Sequence, residues 1–152
     1  CCEPELLIAD EPTTALDVTI QAQVLELMKE LKERIKTSMI MITHDLGIVA
    51  QTCDNVAVMY AGEIVEKGTA EQVVKDPRHP YTKALMGAML STEASQRSRH
   101  PVAIEGAPPS LKNKIVGCRF APRCKVACED CKKNAQNLRV VGGRDVRCDY
   151  AN

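Results

Sequence analysis

Residues Leu6–Asp17 read LLIADEPTTALD. The apolar run ends in two adjacent carboxylates, Asp10 and Glu11, and Pro12 stops it at once. So short a stretch predicts a buried strand over Leu6–Ala9 rather than a helix. Acids at its carboxyl end lie where the functional groups of parallel sheets collect. From Val18 to Ile35 the residues Ile20, Val24, Leu27, Leu31 and Ile35 recur every three or four positions, with Lys29, Glu30, Lys32, Glu33 and Arg34 between them. That pattern predicts an amphipathic helix. Ser38–Thr43, SMIMIT, reads as a second buried strand and ends at His44-Asp45. Strand, helix, strand in this order predicts a βαβ unit and a parallel sheet, hence an α/β fold.

Further along, a short helix is expected over Leu46–Thr52. Two strands follow, Asn55–Tyr60 and Glu63–Lys67, joined as a hairpin through Ala61-Gly62. Thr69 is placed to cap a helix over Ala70–Lys75. Pro77 and Pro80 break the chain before a helix from Tyr81 to about Leu90. Residues 91–100, STEASQRSRH, are polar and aperiodic and read as a linker. The organisation expected is therefore 1–90, a linker over 91–100, and a loop-rich segment over 101–152. That last segment has few large apolar side chains and buries too little surface alone, so a metal staple would compensate.

The 152 residues carry 20 basic and 20 acidic side chains, so the net charge is zero. This balance argues against a nucleic-acid partner held by phosphate attraction. The apolar runs fall short of the roughly 20 residues of a membrane span. Glu3, Pro4 and Glu5 interrupt the beginning in a way a signal peptide is not interrupted. Any membrane association is expected to be peripheral.

Of eight cysteines, Cys118, Cys124, Cys128, Cys131 and Cys148 cluster late in the chain. Without an export signal, such clustering points to a metal site rather than a disulfide framework. Five residues separate Cys118 from Cys124, six separate Cys124 from Cys131, and sixteen separate Cys131 from Cys148. Four thiolates from a loop-rich segment suit tetrahedral zinc or an iron–sulfur cluster. Only Cys128 and Cys131 form a C-x-x-C pair. The neighbouring Arg119, Arg123, Lys125, Lys132 and Lys133 read as a solvated basic surface around an anionic site.

In the first part of the chain, Asp10 is placed to hold a magnesium ion, directly or through water. Glu11 could orient or deprotonate an attacking water, and His44 could touch that water or a terminal phosphate. Taken singly, these residues have plainer readings. The Asp-Glu pair is also a capping or surface feature, His44 a structural strand-end residue, and Asp17 and Asp45 helix N-caps.

Taken together, LLIADEPTTALD, a helix, MIMITHD and then VAVMYAGEIVEKG resemble the nucleotide-binding subunits of ABC transporters. The resemblance implies that Asp10 closes a Walker B strand and serves Mg²⁺, and that Glu11 is the catalytic base for ATP hydrolysis. It makes His44 the switch histidine that senses the γ-phosphate. Asp17, in the D-loop TALD, would help to couple two ATP sites across a subunit dimer. HPYTKALMGAML from His79 to Leu90, then EGAPPSL and GCRFAPRC, resemble the di- and oligopeptide importer branch, which also includes nickel importers. That branch implies a cysteine-bearing extension, with Cys118, Cys124, Cys131 and Cys148 as ligands of a 4Fe-4S cluster or, alternatively, zinc. Cys128 would be a spare thiol or an alternative ligand. Lys125 stands where the family often has proline, and Arg144 where it often has histidine.

The fold implied is the C-terminal half of a P-loop ABC ATPase domain, a parallel sheet flanked by helices, followed by the small cysteine-rich extension. The implied partners are a second ATPase subunit, transmembrane permease subunits and, indirectly, a substrate-binding protein, at the cytoplasmic face of the membrane. The sequence contains no G-x-x-x-x-G-K-S/T loop, glutamine loop or LSGGQ-type signature. These residues alone are therefore expected to be inactive. The alternative is a stand-alone metal-binding module with a vestigial ATPase half.

Overall fold

A computed structural model describes residues 4–88 and 103–151, which fall into two compact units divided between Cys53 and Asp54. In the first, β1 (Leu6–Asp10) pairs in parallel with β2 (Ser38–Ile42), from Leu6 opposite Ser38 to Asp10 opposite Ile42. The ladder extends at both ends, through Ser38 N–H to Glu5 O and Glu11 N–H to Ile42 O, each 2.9 Å. The crossover is α1 (Val18–Ile35), as its periodicity requires. Asp17 caps it by accepting from Ile20 N–H at 2.9 Å, and Lys36 leaves it in the left-handed region at φ 50°. Lys32 and Arg34 in the last turn oppose the negative end of the helix dipole. Helix α2 (Leu46–Thr52) starts on Asp45, whose Oδ1 accepts from Gly47 and Ile48 N–H.

One expectation changes here: the two strands are not buried throughout. Successive strand residues point to opposite faces. The face carrying Leu6, Ile8, Ile40 and Ile42 is exposed, Ile8 at 61%, whereas Leu7, Ala9, Met39 and Met41 are half-buried. The cause is layering. A continuous apolar run is buried on both faces only where both faces carry a covering layer.

The second unit is built on a four-stranded antiparallel sheet. Strands β3 (Asn55–Tyr60) and β4 (Glu63–Thr69) form the expected hairpin. Ala61 and Gly62, at φ 48° and 84°, give the two positive-φ positions that a tight turn between twisted strands needs. Thr69 begins α3 (Ala70–Lys75) with a capping box completed by Gln72. Helix α4 (Pro80–Gly87) starts at Pro80, on His79 as cap. The last expected residues of that helix, 89 and 90, and the expected linker over 91–100 lie outside the described residues.

The segment after residue 103 is more regular than its sequence suggests. It contains a 3₁₀ turn (Ala121–Arg123), α5 (Glu129–Lys133), and a second hairpin of β5 (Arg139–Val141) and β6 (Arg144–Val146). Strand β6 lies beside β4, with Glu66 opposite Val146 and Lys67 opposite Asp145. The segment does not have to bury its own surface alone. Phe120 packs with Val58, Tyr60, Val65 and Val73 in one core. The Tyr60, Tyr81 and Phe120 rings meet at 4.6–5.4 Å, within the range of favourable aromatic pairs.

The same unit contains a buried polar lock. Glu66, fully buried, accepts from the backbone N–H groups of Arg78 and His79 at 2.9 Å, with Arg144 Nη1 3.6 Å away. Arg144 also donates to the carbonyls of Gln72 and Asp76 and to Asp76 Oδ2. Arg144 thus ties β6 to β4 and to the end of α3. Among the described residues no helix is long and apolar enough to cross a membrane.

Candidate functional site

In the first unit, adjacent parallel strands end side by side and carry Asp10, Glu11 and His44 at that edge. Glu11 leaves the strand at φ 47°, an uncommon region for a residue with a side chain. Its N–H still bonds to Ile42 O, while Thr14 N–H bonds back to Glu11 O at 3.1 Å. This turn aims the carboxylate sideways. Glu11 Oε1 lies 2.8 Å from His44 Nδ1, and Oε2 accepts from Thr14 Oγ1 at 2.9 Å. The hydrogen bond to His44, then that from Thr14, holds the Glu11 carboxyl below its usual range. The same contact raises His44 above its usual value. His44 remains open to solvent, its side chain 82% exposed.

Of the residues singled out in the sequence, Glu11 and His44 therefore touch, and Asp10 sits one residue away at the end of β1. Asp17 is the N-cap of α1, and Asp45 caps α2. Thr14 went unread in the sequence, although its place three residues after Glu11 was the available signal. The arrangement offers an accessible carboxylate with an imidazole proton donor beside it, suited to ordering a water and an anion.

In the second unit Cys118, Cys124, Cys131 and Cys148 line one small cavity of about 30 Å³, walled also by Phe120, Ala121 and His79. Burial pushes the Cys118, Cys124 and Cys131 thiols up. Cys118 and Cys131 are brought together by backbone. Cys118 N–H donates to Cys131 O at 2.7 Å, and Gly117, at φ 77°, passes so close that a Cβ there would lie 2.5 Å from that oxygen. His79 caps α4 through Tyr81 N–H to its Nδ1 at 3.0 Å, and burial lowers its pKa to about 4, so it is neutral at pH 7.

Four soft thiol donors on one enclosed wall fit zinc or an iron–sulfur group in kind. In position they are not closed on a centre. Among the described residues no group of three or more His, Cys, Asp or Glu stands ready to hold a metal ion. Cys128, outside the cavity wall, approaches Cys131 with its sulfur at 3.4 Å, and the Tyr150 hydroxyl lowers its pKa. Tyr150 was not singled out in the sequence. Only its neighbourhood to Cys148 would have pointed to it.

Residues 65–131 match the family model described as the oligopeptide/dipeptide transporter, C-terminal region. The oligopeptide transport ATP-binding protein OppD of Haemophilus influenzae is 54% identical over 131 residues, covering 86% of this chain and 40% of that protein. AppD of Bacillus subtilis, also an oligopeptide transport ATP-binding protein, is 49% identical over 97% of this chain and 44% of its own length. The dipeptide transport ATP-binding protein DppD of Haemophilus influenzae is 46% identical over the same shares. Among solved structures, that of cbiO1 from Clostridium perfringens, part of the ABC transporter complex cbiONQ, aligns at a TM-score of 0.46. It is 36% identical over 49% of this chain and 30% of that one. The chain spans less than half the length of these curated relatives. Residues 65–131 thus carry an oligopeptide/dipeptide transporter C-terminal region, and most of the chain is similar to ATP-binding proteins of peptide transporters.

Proposed function

We propose that these residues are the water-activating and C-terminal part of an ATPase subunit that drives import of di- or oligopeptides. The observation that carries the reading is the 2.8 Å contact between Glu11 and His44 at neighbouring strand ends, one residue beyond Asp10. In this reading Asp10 holds Mg²⁺, directly or through water. Glu11, ionised and oriented by His44 and Thr14, takes a proton from the attacking water. His44 donates to the γ-phosphate and so links the base to the presence of ATP. Asp17, at the start of α1, faces the second ATP site of a subunit dimer. The transmembrane partners are permease subunits on whose cytoplasmic side the ATPase sits, supplied by a substrate-binding protein. Nickel is the alternative cargo.

The phosphate-gripping loop is not among these 152 residues, so they are expected to show negligible ATPase activity by themselves. Fusing them to the amino-terminal segment of the Haemophilus OppD tests both statements. The chimera should hydrolyse Mg·ATP and lose roughly 10²–10⁴-fold in rate on Glu11→Gln, the usual worth of a general base. Robust hydrolysis by the 152 residues alone, or a chimera indifferent to Glu11→Gln, sinks the reading.

A structural metal centre in the second unit is supported by the four thiols on one cavity. Cys118, Cys124, Cys131 and Cys148 would hold it, as a 4Fe-4S cluster or zinc, and its chemistry there is to staple loops rather than to react. Anaerobic reconstitution giving absorption near 400 nm with stoichiometric iron and sulfide supports the cluster. One zinc in colourless protein supports the ion, and neither sinks both.

A further inference from the structure

Cys128 is left over from both sites, and it is not isolated. Its sulfur lies 3.4 Å from that of Cys131, one turn along at the start of α5. A disulfide needs about 2.05 Å between sulfurs, so small torsions of two side chains suffice to close the bond. The two partners differ in a useful way. Cys128 is half-buried and reachable, while Cys131 is 8% exposed. Cys131 is also the held member, its carbonyl bonded by Cys118 N–H and crowded by Gly117.

We propose that Cys128 and Cys131 form a dithiol site that exchanges with low-molecular-weight disulfides, and that its oxidation withdraws Cys131 from the thiol-lined cavity. The Cys128 thiolate attacks one sulfur of R–S–S–R, forming a mixed disulfide and releasing one RS⁻. Cys131 then attacks the Cys128 sulfur, forming the Cys128–Cys131 bond and releasing the second RS⁻. The two protein thiols lose two electrons and two protons, and the small disulfide leaves as two RSH. One accessible and one shielded sulfur within a C-x-x-C turn is the arrangement that lets the second thiol resolve the mixed disulfide quickly. Because Cys131 lines the cavity and Cys128 does not, oxidation leaves three thiols on that wall. The consequence for metal rests on the structural-centre reading above; the exchange itself does not.

The 152-residue chain, reduced and then equilibrated with glutathione disulfide, is quenched with an alkylating agent and mapped by peptide mass spectrometry. The expected map has a Cys128–Cys131 disulfide, with Cys53, Cys118, Cys124 and Cys148 still alkylated. Separate alkylation of Cys128 and Cys131, or bridges from Cys131 to Cys118, Cys124 or Cys148, overturns the proposal. Cys128→Ser should restore Cys131 alkylation under the same conditions, and circular dichroism checks that this variant is folded. Zinc titration is the second readout. Tight binding by reduced protein that is lost on oxidation, and retained by oxidant-treated Cys128→Ser, is expected. Zinc held equally before and after the bond forms overturns the withdrawal. A disulfide formed in protein that takes up no metal in any state sinks the metal reading and leaves the exchange site standing.

Discussion

The two units use apolar residues in opposite ways. In β1 and β2 the isoleucines and leucines are concentrated in sequence yet stand open on one face, Ile8 at 61%. In the second unit apolar residues from segments far apart in sequence converge, with Val73 and Val146 fully buried and the Tyr60 and Tyr81 rings edge-on to Phe120. Burial follows from layers, not from local hydrophobicity. A run of apolar residues marks a strand that can be covered on both sides, whereas scattered ones close a core when strands distant in sequence bring them together. The exposed apolar edge of the first unit and the closed core of the second therefore predict very different sensitivity to the same kind of change.

The sharpest break in that contrast is a pair of truncations. Phe120→Ala should cost about 3–5 kcal/mol, as buried aromatic deletions do, while Ile8→Ala should shift stability by less than about 0.5 kcal/mol, as exposed substitutions do. Urea unfolding followed by circular dichroism reads both, and similar costs would erase the distinction. Next, Arg144→Ala leaves the buried Glu66 carboxylate without its guanidinium and should cost about 3 kcal/mol. Amide exchange should then accelerate in β6 and β4 before it does in α1.

A third test uses pH. Burial lowers the folded-state pKa of His79 to about 4, against an ordinary value of 6.5. Between those values the unfolded chain binds the proton and the folded chain does not, so stability rises with pH. The contribution is fully present above about pH 6.5, falls as pH drops, and is gone below about pH 4. From pH 7.5 to pH 5 it should amount to about 2 kcal/mol, and His79→Gln should flatten that slope. The smallest effect belongs to the first unit. Glu11→Gln should leave the unfolding midpoint unchanged while returning the His44 titration, followed by NMR, from its raised position to that of an ordinary histidine.

How much of this was legible in the sequence divides along the same line. The crossover β1-α1-β2 follows from local pattern alone, because helix periodicity and two short apolar runs are nearest-neighbour signals. Asp10, Glu11 and His44 were readable as strand-end residues for that reason. What stayed hidden was whatever depends on partners far along the chain. Strands β5 and β6 have three residues each and a Gly142-Gly143 turn, too short for any period to show. The Glu66–Arg144 lock joins charges that look like surface in sequence. The thiol spacing named a donor set, yet only the fold separates Cys128 from the cavity and sets it against Cys131.

The placing of β6 beside β4 also has a temporal meaning. Arg147 Nε bonds to Ile64 O across 83 positions of chain, so the sheet that frames the aromatic core cannot close until residue 147 has left the ribosome. Contacts this non-local form slowly. During synthesis the β3-β4 hairpin must wait with one edge unpaired, an aggregation-prone state for a nascent chain. Glu66 and Lys67, which later face Val146 and Asp145, put opposite charges side by side on the waiting edge. A ribosome stalled before residue 144 would thus present the β4 edge of the second unit with β6 not yet made to cover it.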